Sequence, residues 1–83
     1  MKPFNLETQI PILVSRESDA ILKVYDISGI LVNTLYNGLL TAGFQTIPWE
    51  GQNASGDHVS SRVYFYEVEV NGKRTTRNML LIR

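Results

Sequence analysis

The chain contains no cysteine. Disulfide bonds, thiolate catalysis and cysteine-ligated zinc are therefore excluded, because each needs a thiol or its thiolate. Histidine occurs once, at His58, in a polar stretch with no second histidine to share a metal ion. We therefore expect His58 to be a solvated loop residue.

Excess charge and long apolar runs are also lacking. Eight acidic residues balance eight basic ones, so charge gives no argument for nucleic acid or for an anionic membrane surface as a partner. No apolar run approaches the roughly 20 residues that a membrane-spanning helix needs, and residues 1–3 do not begin a signal peptide. With 43% hydrophobic and 19% charged residues, the chain has the composition of an ordinary globular domain. We expect residues 1–83 to form one domain with a small core.

What the sequence does contain is a series of short alternating segments rich in β-branched and aromatic residues. They are separated by turn signals at intervals of about 8 to 12 residues, which is typical of a β-sandwich or barrel. No amphipathic helix pattern competes, so the fold class is predicted to be all-β with about six or seven strands. The predicted strands are residues 8–14, 19–25, 30–36, 44–49, 63–70 and 75–82.

Glycine and proline mark the boundaries between these segments. Asn71-Gly72 has the composition of a two-residue hairpin turn in which both residues take positive φ, and residues 26–29 form a second turn that ends on Gly29. Asn37-Gly38 and Ala42-Gly43 are predicted to bracket a loop. Pro11 and Pro48 lack a backbone N–H, so Pro11 is expected at a sheet edge or a bulge and Pro48 at a sheet edge or a strand end.

The apolar faces of these strands predict the core. Alternate residues of a strand share a face, so the apolar positions of each segment are expected to meet between two packed sheets. The predicted core is Ile10, Ile12, Leu22, Val24, Ile47, Trp49, Tyr64, Tyr66, Val68 and part of residues 79–82.

Two groups of polar residues are candidate sites. Glu50, Asn53, Ser55 and Asp57 are oxygen donors of the kind that calcium takes, but their spacing is not that of an EF-hand, and turn chemistry explains the same residues. Glu67 and Glu69 share a strand face, where neighbouring lysine or arginine explains them more simply than acid–base catalysis. No nucleophile, base and orienting group can be assembled, so we expect no enzymatic activity, no cofactor and no catalytic or metal site.

Five stretches together resemble one family of bacterial domains, and they are residues 3–10, 22–29, 42–59, 63–66 and 76–82. The chain resembles the Ig-like domain that the flagellar hook-capping protein shares with the C-terminal sorting domains of the type IX secretion system of Bacteroidetes-like bacteria. It departs from the family pattern at Leu6, Glu50 and Arg62, where proline, aspartate and glycine are usual.

The resemblance implies an Ig-like antiparallel β-sandwich of about seven strands without catalytic function. It further implies a sorting domain at the C-terminus of a larger secreted or cell-surface protein of a Gram-negative bacterium, exported through the periplasm. Its partners would be the secretion and sortase machinery at the outer membrane, with no nucleic acid and no transmembrane segment. The residues expected to be recognised are Lys73, Arg74, Arg77, Asn78, Met79, Leu80, Leu81, Ile82 and Arg83.

Two alternative functions stay open. The first is an Ig-like spacer or adhesion module in a secreted multidomain protein, in which the strands only pack a core. The second is a carbohydrate-binding module that uses exposed aromatic rings as a stacking platform. The candidate rings are Tyr25, Tyr36, Phe44 and Phe65.

Overall fold

The computed structural model describes residues 8–81, which fold into two packed antiparallel sheets. One sheet pairs β1 with β4, and the other has the order β3-β2-β5-β6. The predicted all-β sandwich is therefore confirmed, with six strands in the described residues rather than seven. The strands are β1 (Thr8–Val14), β2 (Ser18–Tyr25), β3 (Leu31–Leu40), β4 (Gly43–Trp49), β5 (Arg62–Val70) and β6 (Lys73–Leu81).

Strict alternation in β1, β2 and β5 builds the core. The buried residues of these strands alternate with more exposed ones, because successive side chains of a strand point to opposite faces of the sheet. They are residues 10, 12 and 14 of β1, residues 18, 20, 22 and 24 of β2, and residues 64, 66 and 68 of β5. The predicted core is confirmed except at Ile47, which is only partly buried. The core is Ile10, Ile12, Val14, Ala20, Leu22, Val24, Leu40, Trp49, Tyr64, Tyr66, Val68 and Leu81.

The predicted loop at Asn37-Gly38 is wrong. Both residues lie inside β3, where Asn37 pairs with Ile21 and Gly38 with Ala20. The Tyr36 side chain lies beside Gly38, with its hydroxyl oxygen 3.6 Å and its nearest ring carbon 3.7 Å from where a Cβ would stand, so the aromatic ring covers the missing side chain. Extending β3 to Leu40 carries that residue into the core, which outweighs the turn preference of Asn-Gly.

Two bulges explain why the sequence pattern of β3 is apolar on both faces. Register shifts in the β2–β3 ladder leave Val32 and Leu35 without a partner on β2. Each bulge adds one residue and reverses the alternation after it, so both extra side chains turn toward the core and pack against it.

The remaining turns follow the predicted chemistry. Asn71 and Gly72 have φ values of 50° and 81°, the positive pair that a two-residue hairpin needs. Asp26 Oδ1 accepts the backbone N–H groups of Ser28 and Ile30 at 2.8 and 3.0 Å, while Gly29 takes φ 82°. These bonds close the β2–β3 connection locally.

The two prolines lie where the absence of a donor costs little. Pro11 is opposite Thr46 and Pro48 is opposite Gln9 in the β1–β4 ladder, and both prolines are exposed. Each strand of a two-stranded sheet has one free edge, so the predicted edge position is confirmed. The ladder shows no register shift, so neither proline needs a bulge.

An aromatic pair joins the two sheets. Trp49 on β4 meets Tyr64 on β5 edge to face, with ring centroids 5.0 Å apart and planes at 77°. Each side chain is 2% exposed, and each has its polar atom bonded. Trp49 Nε1 donates to the Gln52 carbonyl at 2.9 Å, and the Tyr64 hydroxyl donates to the Ser60 carbonyl at 2.7 Å. The pair therefore packs the core and holds the β4–β5 connection at two points.

Trp49→Ala is expected to lower the free energy of unfolding by about 3 to 5 kcal/mol, because it removes the largest buried side chain and leaves a cavity. Phe44→Ala is the matched control, since Phe44 lies on the same strand but is 68% exposed. Urea denaturation should show a large loss for the first variant and a change within about 0.5 kcal/mol for the second. Equal midpoints for Trp49→Ala and the parent would contradict the core assignment.

Tyr64→Phe is expected to cost about 1 to 2 kcal/mol, because it leaves the Ser60 carbonyl without its donor while the ring stays in place. Tyr66→Phe is the control: it lies on the same face of β5, and its hydroxyl has no hydrogen bond within residues 8–81. Thermal melts of both variants test the difference. A loss equal to that of the control would show that the hydroxyl bond contributes nothing.

Candidate functional site

The predicted recognition residues lie mainly on β6, the outer strand of the four-stranded sheet. Lys73, Arg74, Arg77 and Asn78 are exposed, and Met79 is partly buried. These five residues and Leu80, which is 59% exposed, share one accessible strand. Such a strand offers both side chains and backbone to a partner.

The last predicted recognition residues differ in position. Leu81 is 2% exposed and belongs to the core, so its side chain stabilises the sandwich and is not accessible to a partner in the folded domain. Ile82 and Arg83 lie outside the described residues. The sequence pattern alone did not separate Leu80 from Leu81, because the face of a terminal strand depends on its register with β5.

The register of β5 and β6 fixes which face each cation occupies. Lys73 and Arg77 lie opposite Val70 and Tyr66, on the side of the sheet that faces β1 and β4. Arg74 lies on the other side, where its Nε is 3.4 Å from Glu69 Oε1. This ion pair is largely exposed, so it contributes at most about 1 kcal/mol.

The glutamate pair has the predicted surroundings. Glu67 lies opposite Lys23 on β2, and Glu69 lies opposite Arg74 on β6. Both carboxylates are partly buried on the outer face of the large sheet. Neighbouring cations on adjacent strands therefore account for this pair, as the sequence predicted.

The polar connection between β4 and β5 is a compact hydrogen-bonded loop. Asn53 Oδ1 accepts the backbone N–H groups of Ser55 and Asp57, each at 3.0 Å. The Asn53 N–H donates to the Asp57 carbonyl at 2.8 Å, and Gly56 takes φ 87°. The Asn53 side chain therefore stabilises a turn, which explains the composition of this loop without a calcium ion. Residues 8–81 contain no cluster of three or more acidic or histidine side chains that could hold a metal ion.

This loop is also attached to the rest of the domain. The Gln52 carbonyl accepts both Trp49 Nε1 and Asn33 Nδ2, at 2.9 and 3.0 Å. Ala54 N–H donates to the Val32 carbonyl at 3.0 Å. His58 pairs with Gln52 across the loop in an isolated β-bridge, with their side-chain nitrogens 3.5 Å apart. His58 is exposed, in agreement with its predicted loop position.

The four candidate aromatic rings do not form one platform. Tyr25 and Phe65 are opposite each other on the outer face of the large sheet, and both are partly buried. Tyr36 lies against Gly38 and donates its hydroxyl to the Leu39 carbonyl at 2.5 Å. Phe44 lies opposite Leu13 on the other sheet. A carbohydrate surface would therefore have two adjacent rings rather than four.

The geometry around Tyr64 identifies the class of sandwich. The sheet order β3-β2-β5-β6 corresponds to strands C′, C, F and G of Ig-like domains, and β1 with β4 corresponds to B and E. Tyr64 near the start of β5 donates its hydroxyl to a carbonyl four residues upstream, as in the tyrosine corner of such domains. Tyr66 stands two residues later, where antibody domains have a disulfide cysteine. The fold is an Ig-like β-sandwich.

Comparison with known proteins gives the family. The profile of the FlgD Ig-like domain matches residues 6–74, and this chain belongs to that family. The structure aligns with the crystal structure of FlgD from P. aeruginosa at a TM-score of 0.70 and 25% identity, over 90% of this chain and 59% of that one. The chain thus spans about three fifths of the FlgD chain that it matches. A search of curated proteins found no match.

These findings confirm the hook-capping part of the predicted resemblance, and the sorting-domain part stays a proposal. Arg62, which replaces the usual glycine, is the first residue of β5 and pairs with Leu81 in the ladder. Asn71 is the only residue other than glycine with positive φ in the described part of the chain, so Arg62 causes no backbone strain there. The substitution is compatible with a regular strand.

Asn53→Ala is expected to lower the free energy of unfolding by about 1 to 2 kcal/mol, because it removes the acceptor of two backbone N–H groups. Ser55→Ala is the matched control, since Ser55 takes part through its backbone alone. Thermal melts compare the two variants. Equal melting temperatures would mean that the loop does not depend on the Asn53 side chain.

The same melts, repeated with calcium and with a chelator, separate the two interpretations of this loop. We expect the parent to melt at the same temperature in both, because Asn53 Oδ1 is already engaged by two N–H groups. A melting temperature that rises with calcium concentration would contradict this assignment, since a ligand that binds only the folded state must stabilise it.

Proposed function

We propose that this chain is a non-catalytic Ig-like structural module of a larger bacterial protein. The observation that carries the proposal is the family match over residues 6–74, together with the alignment of 90% of the chain to FlgD. By this relationship, its partners would be proteins of a flagellar hook or of a related extracellular assembly. Fold alone does not define function, so the side chains must be consistent with this role.

The described side chains support a structural role. The inward faces of β1, β2 and β5 are used in packing, and the loop side chains of Asp26 and Asn53 are used in turns. The remaining surface of the domain consists largely of the outward faces and the edges of its strands. A module of this kind acts by holding neighbouring segments at a fixed distance or by offering its surface to another protein.

A second candidate is the sorting function of the type IX secretion system. It is supported by the sequence resemblance at residues 63–66 and 76–82, and by the exposure of the cations on β6. In this role the folded domain would be recognised by secretion and sortase machinery at the outer membrane, and the parent protein would reach the cell surface or the medium. The two candidates differ in whether export depends on the domain.

An export assay separates them. The chain is fused after a periplasmic reporter with its own signal peptide, in a host that has type IX secretion and in a mutant that lacks it. A structural module predicts that the reporter stays in the periplasm of both strains. The control fusion carries an unrelated Ig-like domain of similar size, which should behave identically.

The reporter could instead appear at the cell surface only in the secretion-competent strain, and only when it is fused to this chain. That result would contradict the structural role and establish sorting. Protease accessibility of the reporter on intact cells is the measurement. Recovery of intact fusion protein from the periplasmic fraction of both strains would support the structural role.

A further inference from the structure

The outer edge of β6 has no partner strand within residues 8–81. The hairpin closes on the pair Val70 and Lys73, which a two-residue turn makes a hydrogen-bonded pair. Alternation along the ladder then directs every second backbone group to β5 and the others outward. The outward N–H and C=O groups belong to Arg74, Thr76, Asn78 and Leu80.

This edge is long, regular and accessible. The β5–β6 ladder covers nine residues of β6 with no register shift, and β6 contains no proline. Natural sheets usually protect such edges with bulges, prolines or a covering segment. Thr75 and Arg77 stay exposed although they lie on the inward face, so the β1–β4 sheet leaves this part of β6 uncovered. An added strand would have room for its side chains on both faces.

The charge of β6 has one sign. It carries Lys73, Arg74 and Arg77 and no acidic residue. Arg74 is paired with Glu69, whereas Lys73 and Arg77 have no ion pair within the described part of the chain. An open depression of about 440 Å³ beside the hairpin turn adds Arg16 to the same end. The edge therefore favours an acidic partner.

The same charges disfavour a second copy of this chain as the partner. A twofold β6–β6 pairing that overlaps the whole strand is centred on Arg77 and places this residue opposite its own copy. A shift centred on Thr75 places Arg77 opposite Lys73 of the other chain. Like charges directly opposite each other across strands are destabilising. In these two registers the cations disfavour self-association, whereas a segment of opposite charge meets no such repulsion.

We propose that β6 binds an acidic, extended protein segment that adds to the sheet as an antiparallel strand. Its acidic residues would stand opposite Arg77 and Lys73, four positions apart on one face. An apolar residue would stand two positions before the first acid, opposite Met79. Backbone hydrogen bonds to the outward groups supply affinity, and the side-chain spacing supplies specificity. This inference goes beyond the proposed structural function and does not depend on it.

A designed peptide tests the inference on the whole chain. The probe is a capped nine-residue threonine peptide with valine at its third position and glutamate at its fifth and ninth. Amide hydrogen exchange by NMR is the measurement. We expect the peptide to slow exchange at Arg74, Thr76, Asn78 and Leu80, and to change exchange little at Thr75 and Arg77, whose N–H groups already bond to β5. Affinity should fall with added salt.

Two control peptides separate strand addition from simple attraction of charge. The first has prolines at its fourth and sixth positions, which keeps both glutamates but removes two of the backbone donors. The second has lysine in place of both glutamates. We expect at least about tenfold weaker binding for each. Equal affinity of the proline peptide would overturn strand addition, and equal affinity of the lysine peptide would overturn charge recognition.

A charge reversal on the chain completes the test. The double variant Lys73→Glu, Arg77→Glu should bind the glutamate peptide at least about tenfold more weakly, and should bind the lysine peptide more tightly, than the parent does. Arg62→Glu is the matched control, because it makes the same kind of change on β5, and it should bind as the parent does. Circular dichroism melts establish that the variants fold.

Two further outcomes would overturn the proposal. One is the absence of protection at the four outward amides at saturating peptide. The other is protection that grows with the concentration of the chain alone, which would identify a second copy as the occupant. Neither result decides the structural role, because the export assay tests that role separately, by the location of the reporter.

Discussion

The contact between Trp49 and Tyr64 is the constraint on which the rest of this domain depends. The two-stranded sheet has little area of its own, and this edge-to-face pair fixes it against β5. Both rings also use their polar atoms to hold the β4–β5 connection, through the carbonyls of Gln52 and Ser60. Without a disulfide, the small core depends on such side chains that pack and bond at once.

Much of the fold could be predicted from local pattern, because alternation and turn chemistry act over a few residues. The buried faces of β1, β2 and β5 follow directly from the apolar positions, and Asn71-Gly72 forms the expected hairpin turn. The same dipeptide at Asn37-Gly38 is part of a strand. There the burial of Leu40 and the pairing with β2 outweigh local preference, and neither can be inferred from a short segment.

The bulges of β3 and the candidate site likewise depend on pairing between distant strands, which a short segment of sequence does not reveal. Val32 and Leu35 have the composition of strand residues, but the register with β2 decides where they point. The cations of the last hairpin were visible in the sequence, whereas the edge position of β6 depends on strand order and on the narrow extent of the opposite sheet. Only the tertiary structure shows that most of these predicted residues lie on one strand with an accessible edge, and that Leu81 lies in the core.

A double-mutant cycle on Trp49 and Tyr64 tests this account most directly. Trp49→Leu, Tyr64→Leu and the combined variant are compared with the parent by urea denaturation. If the aromatic contact joins the sheets, the two losses are not additive, and the coupling free energy is about 0.5 to 1.5 kcal/mol. Losses that add to within about 0.3 kcal/mol would contradict the account, because the two rings would then stabilise their own sheets independently.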